Sequence, residues 1–406
     1  MTIAIIGAGP AGAMAAVRLA RAGASVLLFD PSHPREKPCG GGLTGRALAL
    51  VSDVIDIGAL APVVIRSASV EPPRSLDAAE VELTDHGVTP RSSLVVVSRA
   101  AFDSALASAA VAAGARLIPE KVVDVYRDGS AMRVRTVCRE YEAGHVLGAD
   151  GPNSVVRKKL AQPFTRAQLS VAAGFFVHGV SASAIAIKCT HQQPGYLWSF
   201  PRRDHLAVGI CARAAKNITS PALRAQSLSW LEQHGLADAA TLTPYAWPIP
   251  SAGFEDARRM TCSAPGWMLL GDAAGLVDPL TREGIYYALL SGQWAADTLT
   301  TSTERATALY AERVRAEIQP ELARAARLSA FFFSSTFSPM FVDALRQSSA
   351  IRQVFVDLVA GAQPYRGLRR RLLRTGQWVL AGKAIRLAVM PRFTGTIKPV
   401  VSSQQS

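Results

Sequence analysis

The stretch Gly7-Ala8-Gly9-Pro10-Ala11-Gly12 (GAGPAG) follows an apolar run at residues 3–6 and opens an alanine-rich helical pattern that continues to Ala22. A second strand pattern, at residues 25–29, ends in Asp30. In such a βαβ unit the first glycine permits a tight turn, the second lets the backbone approach a pyrophosphate, and the third allows close helix–strand packing. The helix N-terminus attracts phosphates, and Asp30 can accept hydrogen bonds from ribose hydroxyls. The stretch predicts a dinucleotide site that includes Gly7, Gly9, Ala11, Gly12 and Asp30.

Two later glycine turns also follow short strand patterns. GADGPNS at 148–154 contains Asp150, and WMLLGDAAG at 267–275 contains Asp272; DPLTREGI at 278–285 then opens a helix. An acidic side chain on a glycine turn can accept hydrogen bonds from a ribityl chain. A helix N-terminus aimed at a flavin ring stabilises negative charge on the N1/O2 edge of the reduced ring. Either turn alone could be an ordinary loop, but the three stretches in this order predict a flavin dinucleotide.

The composition is that of a large globular protein. The chain has 406 residues, of which 49% are hydrophobic and 18% charged, enough for one large domain or two joined ones. Its five cysteines are scattered and never spaced as CxxC, so we expect no disulfide framework, no metal site and a reducing cytoplasmic compartment. We also expect no signal peptide and no membrane-spanning helix.

The order of patterns predicts an α/β fold. A second alanine-rich helix is expected at 100–113, short strands at 122–146, an antiparallel sheet at about 165–262, and helices after Gly271. The predicted organisation is a Rossmann-like nucleotide domain from residues 1–60, 95–160 and 263–305, an inserted β-sheet substrate domain from 61–94 and 161–262, and a helical C-terminal region from 306–406.

The three glycine motifs resemble the FAD-binding pattern of the p-hydroxybenzoate hydroxylase-like flavoproteins. KPCGGGL at 37–43 and YLWSFP at 196–201 are similar to stretches of the geranylgeranyl reductase family, which saturates isoprenoid double bonds with reduced FAD. The resemblance extends from residue 1 to about 300. It implies an FAD-binding domain, an apolar prenyl-type substrate, and hydride transfer from flavin N5 to one alkene carbon with a proton delivered to the other.

The resemblance also implies which residues contact FAD. The family positions that match this chain are Gly7, Gly9, Ala11, Gly12, Asp30, Cys39, Gly40, Gly41, Arg99, Asp150, Asp272, Gly284 and Ile285. The family usually has Gly-Glu-Gly where this chain has Arg282-Glu283-Gly284. The arginine puts the shape of the cavity and the redox potential of the flavin in question.

The loop at 37–43 is interpreted as the wall of a reaction chamber. A phosphate loop would need a Lys-Ser/Thr ending, and a redox pair would need a second cysteine near Cys39. Cys39 therefore faces flavin and substrate, or is an inert buried thiol. Cys39, Tyr196 and an ordered water are the candidate proton donors.

Aromatic residues alternate along the stretch at 196–201. Tyr196, Trp198 and Phe200 face one side of a strand, either as ordinary sheet core or as an aromatic wall above the flavin, which Trp247 would extend. The aromatic helical stretch at 328–345 either caps a lipid tunnel or, as we favour, serves helix packing.

The chain carries no second GxGxxG motif, so the reductant is expected to be transiently bound NAD(P)H or a reduced electron-transfer protein. The alternative function is a flavin-dependent monooxygenase or halogenase on the same scaffold, which would need oxygen.

Basic residues are concentrated at the C-terminus. The net charge is +13, and residues 351–406 carry ten Lys or Arg against Asp357 alone. The segment YRGLRRRLLR at 365–374 reads as an amphipathic helix, either a solvated face or a site for docking to an anionic membrane surface, which would make the enzyme peripheral on the inner face. Nucleic acid binding is not expected, because the segment lacks a recognised module.

Overall fold

A computed structural model describes residues 1–83, 94–190, 195–215, 217–237, 241–334 and 336–376 of the protein. The strands are β1 Thr2–Ile6, β2 Ser25–Phe29, β3 Gly42–Thr44, β4 Val63–Val64, β5 Ser67–Glu71, β6 Ala79–Glu82, β7 Leu94–Val96, β8 Arg116–Ile118, β9 Val122–Asp128, β10 Ala131–Thr136, β11 Glu140–Ala143, β12 His145–Gly148, β13 Leu169–His178, β14 Ala184–Cys189, β15 Gly195–Pro201, β16 His205–Arg213, β17 Thr241–Pro250, β18 Ser263–Ala264 and β19 Trp267–Leu269. The helices are α1 Pro10–Arg21, α2 Gly45–Val51, α3 Arg99–Ala112, α4 Val155–Leu160, α5 Ser220–Gln233, α6 Phe254–Arg259, α7 Gly271–Ala274, α8 Ile285–Thr301, α9 Ala306–Arg313, α10 Gln319–Phe332, α11 Phe337–Gln347, α12 Ser349–Val359 and α13 Leu368–Arg374.

A six-stranded sheet brings the three glycine motifs together. Its order is β18-β19-β12-β1-β2-β8, and every neighbouring pair except β18–β19 is parallel. Ile6 pairs with Gly148, which pairs with Leu269, so the carboxyl ends of β1, β12 and β19 lie side by side. Ligands of doubly wound sheets bind at this edge. The predicted Rossmann-like domain is confirmed.

The first glycine motif has the packing that its sequence predicts. Gly7 has φ +102°, and a Cβ at this position would overlap the carbonyl oxygen of Ala149. A Cβ at Gly12 would overlap the carbonyl oxygen of Gly7, so α1 can lie this close to β1 only with glycine here.

The second large sheet has seven strands in the order β17-β13-β16-β15-β14-β5-β6. It is antiparallel except for β5 and β14, which run parallel and are separated in sequence by much of the nucleotide domain. The sequence prediction of a continuous strand region at 165–262 missed α5, which packs on β13 and β16. The domain boundaries given above stay predictions.

The C-terminal helices close one edge of this sheet. Buried side chains of α11 and α12 form a single apolar cluster with residues of β5, β6, β7 and β14: Val70, Val81, Leu94, Ile185, Phe337, Val342, Leu345, Ile351 and Phe355. Within the described residues no single helix is long and apolar enough to cross a bilayer. Only the bent pair Ala306–Phe332 and Phe337–Gln347, which meet at 97°, passes that test by length and composition.

A small sheet fixes the end of the cysteine-glycine loop. Its order is β3-β7-β4, and Gly42 of β3 pairs with Val96 of β7. The backbone N–H of Val97 donates to the carbonyl oxygen of Gly41 at 3.1 Å. Residues 37–42 are thereby held against the start of α3, which carries Arg99.

Candidate functional site

A cavity of about 330 Å³ extends from the carboxyl edge of the parallel sheet to the C-terminal helices. Thirteen of the residues predicted from sequence line it: Gly9, Ala11, Cys39, Gly40, Gly41, Arg99, Tyr196, Trp198, Phe200, Trp247, Asp272, Gly284 and Ile285. Four predicted residues do not line it, namely Gly7, Gly12, Asp30 and Asp150. The structure thus brings the glycine motifs, the loop at 37–43 and the aromatic strand to one place.

The N-terminus of α1 forms the nucleotide end of the cavity. A Cβ added to Gly9 would meet nothing closer than Lys37 Nζ, at 3.6 Å, so the backbone here is open to a ligand. Free N–H groups of a helix N-terminus and a neighbouring ammonium suit a pyrophosphate. Burial lowers the pKa of Lys37 and nearby Arg99 adds to this, while Asp103 and Asp272 oppose it. Lys37 stood inside the quoted loop motif but was not predicted as a ligand.

Asp30 lies behind the glycine turn. One of its carboxylate oxygens accepts from Ala8 N at 2.8 Å and the other from Ser32 N at 2.8 Å, and the side chain is buried. His33 lies between Asp30 and Asp103, with Nδ1 2.6 Å from the first and Nε2 3.2 Å from the second. The predicted ribose contact of Asp30 stays a prediction.

Arg99 is held by the same buried network. Its guanidinium donates two hydrogen bonds to Asp103, at 2.9 and 2.8 Å, one turn further along α3. Burial opposes ionisation of Asp103, but Arg99, His33 and Lys37 lower its pKa to about 2. A chain of charges therefore connects the glycine turn, through Asp30 and His33, to an arginine on the cavity wall. Neither His33 nor Asp103 has a local sequence pattern that marks it.

The two later acidic residues have different environments. Asp150 Oδ2 accepts from Val155 N at 2.6 Å at the start of α4, while Oδ1 is buried with no partner among the described residues. Burial raises the pKa of Asp150, and its neighbours Ala149 and Gly151 line the cavity. Asp272 lines the cavity itself, and burial raises its pKa against the opposing charges of Lys37 and Arg99. An orphaned acceptor beside the cavity fits a ligand that carries hydroxyl donors, as FAD does.

The cysteine-glycine loop packs against an aromatic ring. A Cβ on Gly40 would lie 3.0 Å from the ring of Phe200, and a Cβ on Gly41 would overlap the carbonyl oxygen of Val97. Gly41 has φ +75°, and its N–H donates to Cys39 Sγ at 3.3 Å. The glycines therefore let the loop lie between Phe200 and the cavity, where larger residues would not fit.

Tyr196 joins the aromatic strand to the loop at 278–284. Its hydroxyl donates to the carbonyl oxygen of Thr281 at 2.8 Å, and burial raises its pKa well above the ordinary value. On the neighbouring strands Cys189 and Cys211 are its direct partners, and both line the cavity. Its proposed role as an acid stays a prediction.

A row of rings extends from Tyr196 into the C-terminal helices. Successive centroids in the order Tyr196, Phe333, Phe332, Phe341 and Phe355 are separated by 5.9, 5.3, 4.9 and 5.9 Å. The four phenylalanines pack on one another and also line the cavity. The stretch at 328–345 thus combines the two interpretations considered from sequence. Apolar side chains complete this branch: Val70, Leu94, Ile185, Ile187, Leu328, Phe337, Ile351, Val354, Leu358, Val359, Leu368 and Leu372.

The departure at Arg282 coincides with an unusual backbone conformation. Arg282 has φ +62°, in the left-handed region that favours glycine, and its side chain lines the cavity. Its Nη1 donates to Ser251 Oγ, and its Nε is buried without a partner in the described part of the chain. A cation thus bridges the loop at 278–284 and the sheet wall beside Tyr196.

Comparison with known proteins agrees with this geometry. The sequence profile of the family described as "FAD binding domain" matches residues 1–289. Menaquinone reductase of Mycolicibacterium smegmatis is 32% identical over 329 residues, covering 74% of this chain and 76% of that protein. Chloroplastic geranylgeranyl diphosphate reductase of Oryza sativa is 26% identical over 384 residues, covering 89% and 78%. A geranylgeranyl bacteriochlorophyll reductase-like protein from Thermoplasma acidophilum has the same fold, with a TM-score of 0.75, 20% identity, and coverage of 92% and 99%.

Proposed function

This chain belongs to the FAD binding domain family and is an FAD-dependent oxidoreductase related to the geranylgeranyl reductases, and on that premise we propose that it saturates C=C bonds of an isoprenoid or similarly apolar chain. One observation carries the proposal: the cavity that receives the nucleotide motifs continues into a branch whose side chains are aliphatic or phenylalanine. Such a lining favours a long hydrocarbon and offers few groups to bind a polar one.

The residues at the edge of the parallel sheet would hold FAD. Gly9 and Ala11 offer the helix N-terminus to its pyrophosphate, Asp150 and Asp272 offer acceptors for hydroxyls, and Arg99 adds a fixed cation. Bound FAD, once reduced, supplies the hydride. The chain's own contribution is to bind, align and keep the chamber dry.

The alkene must also receive a proton. An isolated alkene accepts hydride poorly, so a positioned acid has to share in the step. Tyr196 already donates its proton to the carbonyl oxygen of Thr281, and its raised pKa makes it a weak acid. Cys39, which lines the cavity beside it, and an ordered water are therefore the favoured donors.

The source of electrons is proposed as NAD(P)H bound transiently or a reduced electron-transfer protein. Anaerobic mixing of the oxidised holoprotein with NADH, NADPH or reduced ferredoxin, followed by flavin absorbance, separates these sources. Rapid bleaching by either nicotinamide supports the first. Bleaching only by ferredoxin supports the second.

The basic C-terminal helix supports docking on an anionic bilayer. Leu368 and Leu372, one turn apart on α13, line the cavity, whereas Arg369, Arg370 and Arg374 are exposed. An apolar branch that ends at a cationic helix suits a substrate delivered from lipid. The remainder of the predicted tail, residues 377–406, lies outside the described residues.

Vesicle co-sedimentation tests this docking. We expect the holoprotein to bind vesicles containing phosphatidylglycerol and not pure phosphatidylcholine vesicles. Substituting Arg369, Arg370 and Arg374 by Gln should weaken binding by at least tenfold, at about 1 kcal/mol per charge. Exposed Arg258 and Arg259 on α6, changed to Gln, serve as the control. Equal binding by the α13 variant and the wild type would contradict the proposal.

Product analysis tests the reaction. The chemically reduced holoprotein is incubated without oxygen with geranylgeranyl diphosphate, and separately with menaquinone, and products are analysed by mass spectrometry. We expect the gain of two hydrogens per bond in at least one substrate. Products that form only with oxygen, and contain added oxygen or halogen, would instead identify a monooxygenase or halogenase.

A further inference from the structure

Arg202, directly after β15, is almost completely buried, with 1% of its side chain exposed. A guanidinium in such a place needs charged and hydrogen-bonding partners to offset its desolvation. Burial lowers the pKa of Arg202 to about 10, which leaves it charged at neutral pH. It was absent from the sequence predictions, although it immediately follows the aromatic motif YLWSFP.

The two ends of the guanidinium hold different parts of one loop. Nη1 donates to Glu36, and Nη2 donates to the carbonyl oxygen of Cys39 at 2.6 Å. Two hydrogen bonds from a planar cation fix direction as well as distance. The loop at 36–42 is thereby attached to the end of the strand that carries Trp198 and Phe200.

Glu36 extends this connection to α3. Its carboxylate accepts from Ser98 Oγ at 2.6 Å, Arg99 N at 3.0 Å and Ala100 N at 3.2 Å. A carboxylate at a helix N-terminus is favourable because it meets free N–H groups and the positive end of the dipole. Arg202 therefore reaches, through Glu36, the first turn of the helix that places Arg99 in the cavity.

The loop is held from two directions by neighbouring residues of one chain segment. The ring of Phe200 packs on Gly40, while Arg202 fixes the carbonyl oxygen of Cys39. Between them, Gly41 adopts φ +75° and donates to Cys39 Sγ. Loss of the guanidinium would free the carbonyl and release the turn that aims the thiol.

We propose that Arg202 is a positioning residue that sets where the Cys39–Gly41 loop lies in the chamber and links the substrate wall to the Arg99 helix. It acts through Cys39 and Arg99 and does not itself line the cavity. The proposal depends on FAD binding and not on the identity of the substrate, so it can fail while the proposed reaction stands.

Thiol labelling of the holoprotein reads the position of the loop directly. Cys138 is exposed and is replaced by Ser in all variants, whereas Cys189, Cys211 and Cys262 are buried. The rate at which N-ethylmaleimide labels Cys39 is measured by mass spectrometry in the wild type, Arg202→Met and Arg202→Lys, and the Kd for FAD is measured by fluorescence.

We expect Arg202→Met to label at least about tenfold faster and to bind FAD at least about tenfold more weakly, since hydrogen bonds to charged groups contribute about 1.5–3 kcal/mol. Arg202→Lys should be intermediate, because an ammonium cannot keep both directed bonds. Lys188→Met is the control: it removes another buried ion pair, with Glu71, from the same sheet. It should lower thermal stability while leaving both readouts near wild type.

Two results would overturn the proposal. One is labelling and FAD affinity of Arg202→Met at wild-type values; the other is an equal change in Lys188→Met, which would indicate general destabilisation. If Arg202→Met does not fold, Glu36→Gln serves instead, because it weakens the ion pair and keeps the donor to Cys39. Faster labelling of Cys39 in that variant supports the proposal, and an unchanged rate refutes it.

Discussion

Substituting Arg282 by Ala and by Gly separates the backbone at this position from its side chain. Both changes remove the hydrogen bond to Ser251 and the guanidinium in the cavity, so the two variants differ only in a Cβ. At φ +62° the Cβ costs about 1–2 kcal/mol, whereas glycine pays about 0.5–1 kcal/mol in chain entropy. We therefore expect R282G to be more stable than R282A by up to about 1 kcal/mol.

The assay is thermal unfolding of the two apoproteins side by side. A difference of 1 kcal/mol moves the Tm of a 150–250-residue domain by about 2–4 °C, so about 2 °C or less is expected in this longer chain. Turnover should change equally in both variants, because the lost side chain is the same. A Tm of R282A at or above that of R282G would refute a left-handed backbone at Arg282.

Three further predictions concern the network around the chamber. Tyr196→Phe should lower kcat by less than about tenfold, because its hydroxyl is committed to Thr281; a loss above about a hundredfold would identify Tyr196 as the acid. Burial opposes protonation of His33, but hydrogen bonds and charges of Asp103 and Asp30 raise its pKa above 6.5. Stability should therefore be full below pH 6.5 and fall as pH rises through the raised value, and His33→Gln should lose this slope in Tm measured across that range. Gly41→Ala should abolish FAD retention on gel filtration, since its Cβ meets the carbonyl oxygen of Val97 at positive φ; retention equal to wild type would contradict the loop geometry.

The nucleotide half of the molecule follows from short segments of sequence. Each glycine motif comes directly after a strand, and parallel strands put their carboxyl ends at one edge, so local patterns were enough to place Gly9 and Asp272 together. The elements β1, α1, β2 and α3 were confirmed within one or two residues. The resemblance to the reductases pointed to the loop at 37–43, which the structure places on the cavity wall.

The residues that sequence reasoning missed belong to long-range pairs. Arg202 and Glu36 are 166 positions apart, and Asp103 meets His33 across 70, so no window of sequence contains both partners. Helix α5 was missed because its moment is weak and it interrupts a strand-rich region. Arg282 shows the opposite case: the family pattern expected glycine, and the positive φ explains why glycine suits that position.

The substrate branch differs from the nucleotide end in how it is built. Its walls come from β5, β14, β15 and four C-terminal helices, and no motif ties these segments together. Aliphatic and phenylalanine side chains can be exchanged at similar volume for little cost in stability. Changes along the row from Phe333 to Phe355 can therefore alter the length and shape of the accepted chain without disturbing the edge where FAD would bind. The selectivity of this enzyme is consequently expected to depend on its C-terminal helices, and its hydride chemistry on the glycine motifs.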